Sequence, residues 1–334
     1  MVKIVLFSAL VAAGIYLSVA LALVASQEID TSVESGGAID FSYALNADND
    51  DLAALLPYPT RAGDSQFYRY YPSDDAGVRF ILVHGSAWHS MQFHEMARSL
   101  SEAGVAEVVV PDVRGHGPNT RLRGDIAYIG QLEDDMADLM VHLSAEYGTR
   151  PTVLGGHSSG GGFAIRFAAG RHTDLADGFV FLAPYLQHDA PTTRPNSGGW
   201  ARPAVRRIIG LTMLNTIGIT ALNHLPVIAF AMPAFVLEGP LGDTATTSYS
   251  YRLNTSFAPR ADFESEIAAI PARFLVVAGS TDEAFDAALY EPVMSAVNDR
   301  GTYRIIDGAG HIDLLGDRRV VEAISVWLSN QDLL

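Results

Sequence analysis

Thr152-Val153-Leu154-Gly155-Gly156-His157-Ser158-Ser159-Gly160-Gly161-Gly162 joins a short apolar run to the helical stretch Phe163–Ala169 through a turn built from glycines. Within it, Gly156-His157-Ser158-Ser159-Gly160 supplies a Gly-x-Ser-x-Gly frame centred on Ser158. Ser159 has no such frame, because His157 stands where its first glycine should be. A serine between a strand and a helix on so sharp a turn is the setting of an activated nucleophile. The glycines have a physical reason: the serine backbone is strained, and side chains beside it would collide with neighbouring backbone. The helix N-terminus behind the turn favours developing negative charge. A glycine-rich turn without catalysis carries the same letters, so the reading needs partners elsewhere. A P-loop is excluded because no Lys follows the glycines, and the spacing fails that of a dinucleotide-binding turn.

A serine nucleophile requires a base and a group that orients the base. On a strand–turn–helix scaffold of this kind the chain order is Ser, then Asp or Glu, then His. The apolar run Phe274–Ala278 leads into Gly279-Ser280-Thr281-Asp282, and Tyr303–Ile306 leads into Asp307-Gly308-Ala309-Gly310-His311. Asp282 and His311 therefore each follow a strand, at the carboxyl end where open α/β sheets place their sites. Glu283 and Asp286 are backups for the acid. Two backbone N–H groups must receive the oxyanion. One is assigned to Ser159. The other belongs to the loop His84-Gly85-Ser86-Ala87 after the run Arg79–Val83, with Ser86 first and Ala87 second. His157, Ala87 and Trp88 are the expected substrate-contacting residues. His84, His94 and His116 read as structural or pocket-lining. No metal is expected, since no His, Asp or Glu cluster has ligand spacing, and no cofactor is implied.

Outward from the serine, apolar runs alternate with helical stretches. Phe67–Tyr71, Arg79–Val83, Glu107–Val110, Thr152–Leu154, Phe179–Leu182, Phe274–Ala278 and Tyr303–Ile306 read as strands; Phe93–Ala103, Gln131–Tyr147 and Arg318–Leu328 read as helices. Continuous apolar strands separated by helices predict a doubly wound, mostly parallel α/β sheet with helices on both faces. The alternation predicts one domain over residues 64–330, preceded by a spacer over 27–63 with a short helix around Leu52–Leu56 that Pro57 and Pro59 end. Residues 186–270 are too long for one crossover and predict an inserted helical cap. In the cap, Ile208–Leu237 is strongly apolar and broken by Pro226 and Pro233 into at least two helices. Asn215, Asn223 and His224 argue against a second membrane span.

The composition is that of a globular protein: 334 residues, 49% hydrophobic, 18% charged and a net charge of -16. An acidic surface repels phosphate backbones, which makes nucleic acid an unsuitable partner. The chain has no cysteine, which excludes disulfides, thiolate metal sites and a cysteine nucleophile. Ile4–Ala25 is an almost unbroken apolar run preceded by Lys3, the one lysine, and followed by Glu28, Asp30 and Glu34. A run of this length spans a bilayer as a helix, and the charge asymmetry places the remainder of the chain outside the cytoplasm. It reads as an uncleaved anchor over residues 1–26; the alternative is a signal cleaved after Ala20-Leu21-Ala22 or Val24-Ala25-Ser26, leaving a secreted or periplasmic protein.

With these motifs in place the chain resembles the α/β-hydrolase superfamily, and within it the monoacylglycerol lipase and lysophospholipase group, also called serine aminopeptidase-like hydrolases. The resemblance rests on His84-Gly85, Asp112-Val113-Arg114-Gly115-His116-Gly117, Gly156–Gly160, Gly279–Asp282 and Gly308–His311, across roughly residues 64–330. It implies a Ser158–His311–Asp282 triad and a cap between the sixth and seventh main strands. The sequence departs from the group in Ser86-Ala87-Trp88-His89-Ser90 and in Pro118 after Gly117. The expected activity is hydrolysis of a carboxylic ester through an acyl-enzyme, on a small-molecule acyl ester or lipid. A peptidase, aminopeptidase or thioesterase on the same fold, and a non-catalytic membrane-tethered binding protein, are the alternatives.

Overall fold

The computed structural model describes residues 2–30, 39–47, 51–239 and 242–331. Glu34 and the acidic centre of the expected spacer, Asp48–Asp50, lie outside them. Among the described residues the main sheet has eight strands: β1 (Leu55–Pro59), β2 (Ser65–Tyr71), β3 (Arg79–Val83), β4 (Glu107–Asp112), β5 (Thr152–His157), β6 (Gly178–Leu182), β10 (Phe274–Gly279) and β11 (Gly301–Ile306). Their order is β1-β2-β4-β3-β5-β6-β10-β11. From β4 to β11 every pairing is parallel; the β1–β2 and β2–β4 pairings at one edge are antiparallel, so β2 runs against the other strands. Every residue of β3, β5, β6 and β10 is buried, as sheets covered on both faces require. The cover comes from α3 (His94–Glu102), α4 (Gln131–Tyr147), α5 (Ser159–Ala168) and the C-terminal helix Arg318–Ser329. On α4, Leu132, Met136, Leu139, Met140 and Leu143 are buried, the face that helical spacing selects.

Two expectations are corrected. The helix around Leu52–Leu56 does not form: Leu55–Pro59 is β1, with Pro57 opposite Phe67 and Pro59 opposite Ser65. An edge strand tolerates prolines because their missing N–H groups are not needed by a further neighbour. The expected spacer therefore already contributes to the sheet, and α2 (Ser42–Asn46) lies ahead of it. In the cap, Pro226 does not begin a second helix. After the cap helix Val205–Thr216, Pro226–Phe230 is a strand, β8, between β7 (Ala201–Pro203) and β9 (Ser248–Ser250) in an antiparallel three-stranded sheet. Val227 and Ala229 are buried while Pro226, Ile228 and Phe230 are half-buried, a period of two.

The apolar N-terminal run is α1 (Val2–Ala25), a single helix whose outer surface is largely exposed. Its last turns pack on the cap helix, where Ala20 and Val24 join Leu211, Leu214, Val227 and Tyr251 in a small second core.

Candidate active site

Ser158 sits between β5 and α5 with φ 55° and ψ -120°, a left-handed backbone that a non-glycine residue adopts only under constraint. The constraint is visible on both sides. A Cβ on Gly156 would overlap Gly160 O, and one on Gly160 would overlap Val83 O. The Ser158 N–H donates to Leu182 O at 3.0 Å, and its carbonyl accepts from Gly162 N–H and Tyr185 N–H at 3.0 and 2.9 Å.

Asp282 and His311 follow β10 and β11, which pair with each other in parallel. The His311 Nδ1–H donates to Asp282 Oδ2 at 2.8 Å, and both side chains are buried. Asp282 Oδ1 accepts from the N–H groups of Ala284 and Phe285, each at 2.8 Å. Its second oxygen is thereby aimed at the imidazole. Of the backups, Glu283 holds the backbone of the histidine, its Oε2 accepting from His311 N–H at 2.8 Å. Asp286 caps a short 3-10 turn through Ala288 N–H.

His157 fills the space behind this pair. Its Nδ1 accepts from Gln92 Nε2 at 3.0 Å and its Nε2–H donates to His311 O at 3.0 Å. Burial, and then the neighbouring His311, hold the His157 imidazole well below its ordinary pKa. It is a neutral spacer that fixes the loop carrying His311. His84 is of the same kind. It accepts from Val113 N–H at 3.1 Å, and burial lowers its pKa to about 4. His94 bonds the Tyr71 hydroxyl.

The loop after β3 is gripped by the cap. Ala87 has a positive φ of 68°, and its N–H donates to Tyr249 Oη at 2.7 Å. Tyr249, on β9, donates in turn to His116 Nε2 at 2.6 Å. Burial keeps that phenol protonated and the His116 imidazole neutral. Trp200 Nε1 donates to Ser86 Oγ at 2.9 Å, and Thr246 N–H to Ala87 O at 2.9 Å. The expectation that Ala87 touches substrate, or serves as the second candidate oxyanion donor, is corrected here. Ala87 is fully buried with its N–H occupied, whereas Gly85, Ser86 and Trp88 on either side of it line the cavity.

That cavity, about 800 Å³ including its opening to solvent, contains Ser158, His157, His311 and Ser86. Its walls are largely apolar. The cap brings Trp200, Met232 and Val236; Met91, Ile312 and Leu315 come from the main domain; and Phe41, Tyr43 and Ala44 come from the segment that joins α1 to the sheet. Two contacts tie that segment down: Tyr43 Oη donates to Glu95 at 2.8 Å, and Asp40 N–H donates to Glu283 Oε1 at 3.2 Å. Sequence reasoning missed Gln92, Trp200, Tyr249 and the Phe41–Ala44 wall. Of these, only the aromatic character of Phe41 and Tyr43 in a polar stretch was a signal. Among the described residues no group of His, Asp or Glu is arranged to hold a metal ion.

Serine on a strand–turn–helix elbow, acid and histidine after successive parallel strands, and a cap inserted after β6 define an α/β hydrolase. The chain belongs to the serine aminopeptidase S33 family, whose model matches residues 75–319. It is 31% identical over 118 residues to a monoacylglycerol lipase of Mycolicibacterium smegmatis, across 35% of this chain and 41% of that one. The match thus spans less than half the length of that relative. A soluble variant of the monoglyceride lipase of Saccharomyces cerevisiae superposes with a TM-score of 0.64 at 16% identity, covering 85% of this chain and 98% of the other. A membrane phospholipase A, a bacterial virulence factor, superposes over 99% of both chains with a TM-score of 0.55 at 18% identity.

Proposed function

We propose that this chain is a serine hydrolase of carboxylic esters whose substrates carry a medium or long acyl chain. The observation that carries the reading is the meeting of Ser158, on its strained turn, and the Asp282-bonded His311 in one apolar cavity. In the proposed cycle His311 takes the Ser158 hydroxyl proton as Oγ attacks the ester carbonyl. Asp282 fixes the tautomer and stabilises the imidazolium. The N–H groups of Ser86 and Ser159 receive the oxyanion. The imidazolium protonates the departing alkoxide, leaving an acyl-enzyme. Water then attacks the acyl carbon, giving up a proton to His311, and the carboxylic acid leaves as Ser158 regains its proton.

The walls support an acyl chain over a charged amine: among the described residues lining the cavity there is no Asp or Glu to hold an ammonium group. The lipases among the similar proteins agree with this choice. For location, the reading is a membrane anchor through α1, with the catalytic domain outside the cytoplasm. It rests on the length and apolar exposure of α1 and on the position of Lys3.

The test compares nitrophenyl esters from acetate to palmitate with aminoacyl anilides, using the parent chain and Ser158→Ala. Ester turnover that rises beyond short chains and disappears in Ser158→Ala is expected. Turnover of the anilides without the esters would overturn the ester assignment.

A further inference from the structure

We propose that the cap helix Val205–Thr216 is itself immersed in the outer leaflet of a lipid bilayer beside α1, so that the cap is part of the membrane-bound surface. The proposal rests on the anchor reading of α1 and adds to it the depth of the cap.

The two helices run antiparallel and touch along most of the cap helix. At one end Arg206 donates through its guanidinium to Ser26 O at 2.8 Å and through its N–H to Gln27 Oε1 at 2.8 Å. In the middle Gly210 lies against Ala20 and Val24 so closely that a Cβ there would strike Ala20 O. At the far end the Tyr16 hydroxyl donates to Met213 O at 3.0 Å and lies 2.9 Å from Thr216 Oγ1. The end of the cap helix is therefore level with Tyr16, well inside α1.

Length then decides the depth. Were the cap helix held in water, only Val2–Ile15 of α1 would remain to cross the bilayer, about 21 Å at 1.5 Å per residue. The hydrocarbon core is about 30 Å thick, and the whole of α1, at roughly 36 Å, fits it. Centred there, α1 puts the Tyr16 level, and with it Thr216, roughly 10 Å inside the outer boundary. That is the depth of helices embedded in a membrane interface, about 5–10 Å.

The chemistry of the cap suits that place. Ile208–Leu237 contains no Asp, Glu, Lys or Arg. Val205, Ile209, Ile217 and Ile219 are exposed on the cap helix and the turn after it. Most of the polar side chains in that stretch are paired: Asn215 and Asn223 exchange amide hydrogen bonds at 2.7 and 2.8 Å, the Thr212 and Thr216 hydroxyls bond helix carbonyls, and His224 Nδ1 bonds Ala221 O, which lowers their cost in lipid. Arg206 and Arg207 stand at the opposite, shallow end, level with the end of α1, where lipid phosphates would lie.

The chain has no cysteine, so single cysteines report cleanly. Full-length Ile217→Cys, with Ile219→Cys as a second site, is labelled with an environment-sensitive fluorophore in phosphatidylcholine–phosphatidylglycerol vesicles. Val11→Cys on α1 and Asp174→Cys, before β6 at the far end of the sheet, are the controls. Hydrolysis of a short nitrophenyl ester shows that each variant is folded. Blue-shifted emission at 217 and 219, quenched by acyl-chain nitroxides and not by aqueous iodide, is expected; position 174 behaves in the opposite way. Lipid quenching at 11 with iodide quenching at 217 and 219 overturns the immersion of the cap and leaves the anchor standing. Iodide quenching at all four positions, or a purified chain whose mass lacks α1, removes the anchor reading and the proposal together.

Discussion

The main sheet and the cap hold two halves of the same site in different ways. Ser158, Asp282 and His311 each follow a parallel strand, β5, β10 or β11; β5 and β10 are buried along their whole length, and the edge strand β11 takes its register from β10. Their positions are consequences of the sheet and would persist if the cap moved. The loop carrying Ser86 begins on β3, yet its shape is fixed from above by Tyr249, Trp200 and Thr246 of the cap. Displacing the cap breaks three hydrogen bonds to the loop proposed to bind the oxyanion. The side carrying Ser158, Asp282 and His311 is thus held by topology, and the side proposed to bind the oxyanion is conditional on the cap.

Mutation separates the two halves. His311→Ala and Asp282→Asn should each lower kcat by about 10⁴-fold with the fold retained, as steady-state kinetics beside thermal melting will show. Residual activity within tenfold of the parent would place the base elsewhere. Tyr249→Phe tests the cap-held half. It removes the acceptor for Ala87 N–H and the donor to His116 Nε2, leaving both buried groups unpaired. A fall of about tenfold in kcat, with KM changed less, is expected if the loop shapes an oxyanion site. An equal loss in KM alone would assign Tyr249 to substrate binding.

A third, smaller effect concerns the histidines beneath that loop. Burial lowers the pKa of His84 to about 4 and that of His89 to about 3. The unfolded chain protonates such groups near 6.5, while the folded chain keeps them neutral. Their contribution is therefore complete above pH 6.5 and is lost as pH falls from there toward 4 and then 3. This amounts to about 3 kcal/mol for His84. Thermal melting from pH 8 to pH 4 should show Tm declining below 6.5. The carboxylates Asp64 and Asp134, held near 2 by their hydrogen bonds to Arg114 and to His172 and Arg171, add their loss only below about 4. A Tm that stays flat down to pH 4 would contradict the neutral assignment of the histidine cluster.

The same division governs what could be read from the sequence. The strands of the main sheet announce themselves as continuous apolar runs, and Ser158, Asp282 and His311 are legible because each stands at the end of one. In the cap the signals conflict. Pro226–Phe230 is apolar throughout, so a strand with one half-buried face has the same letters as the start of a helix. Leu55–Pro59 misleads through its prolines, which an edge strand accommodates. Tyr249 and Trp200 have no local mark, since each reaches its partner across more than a hundred residues. Contacts of that kind come from tertiary packing and leave no periodicity behind.

The most direct test of Ser158 as the nucleophile is the intact mass of the full chain after reaction with a fluorophosphonate. One adduct is expected, carried by the peptide containing Ser158, abolished in Ser158→Ala and strongly slowed in His311→Ala. No adduct, or an adduct on another residue that survives Ser158→Ala, would contradict the assignment.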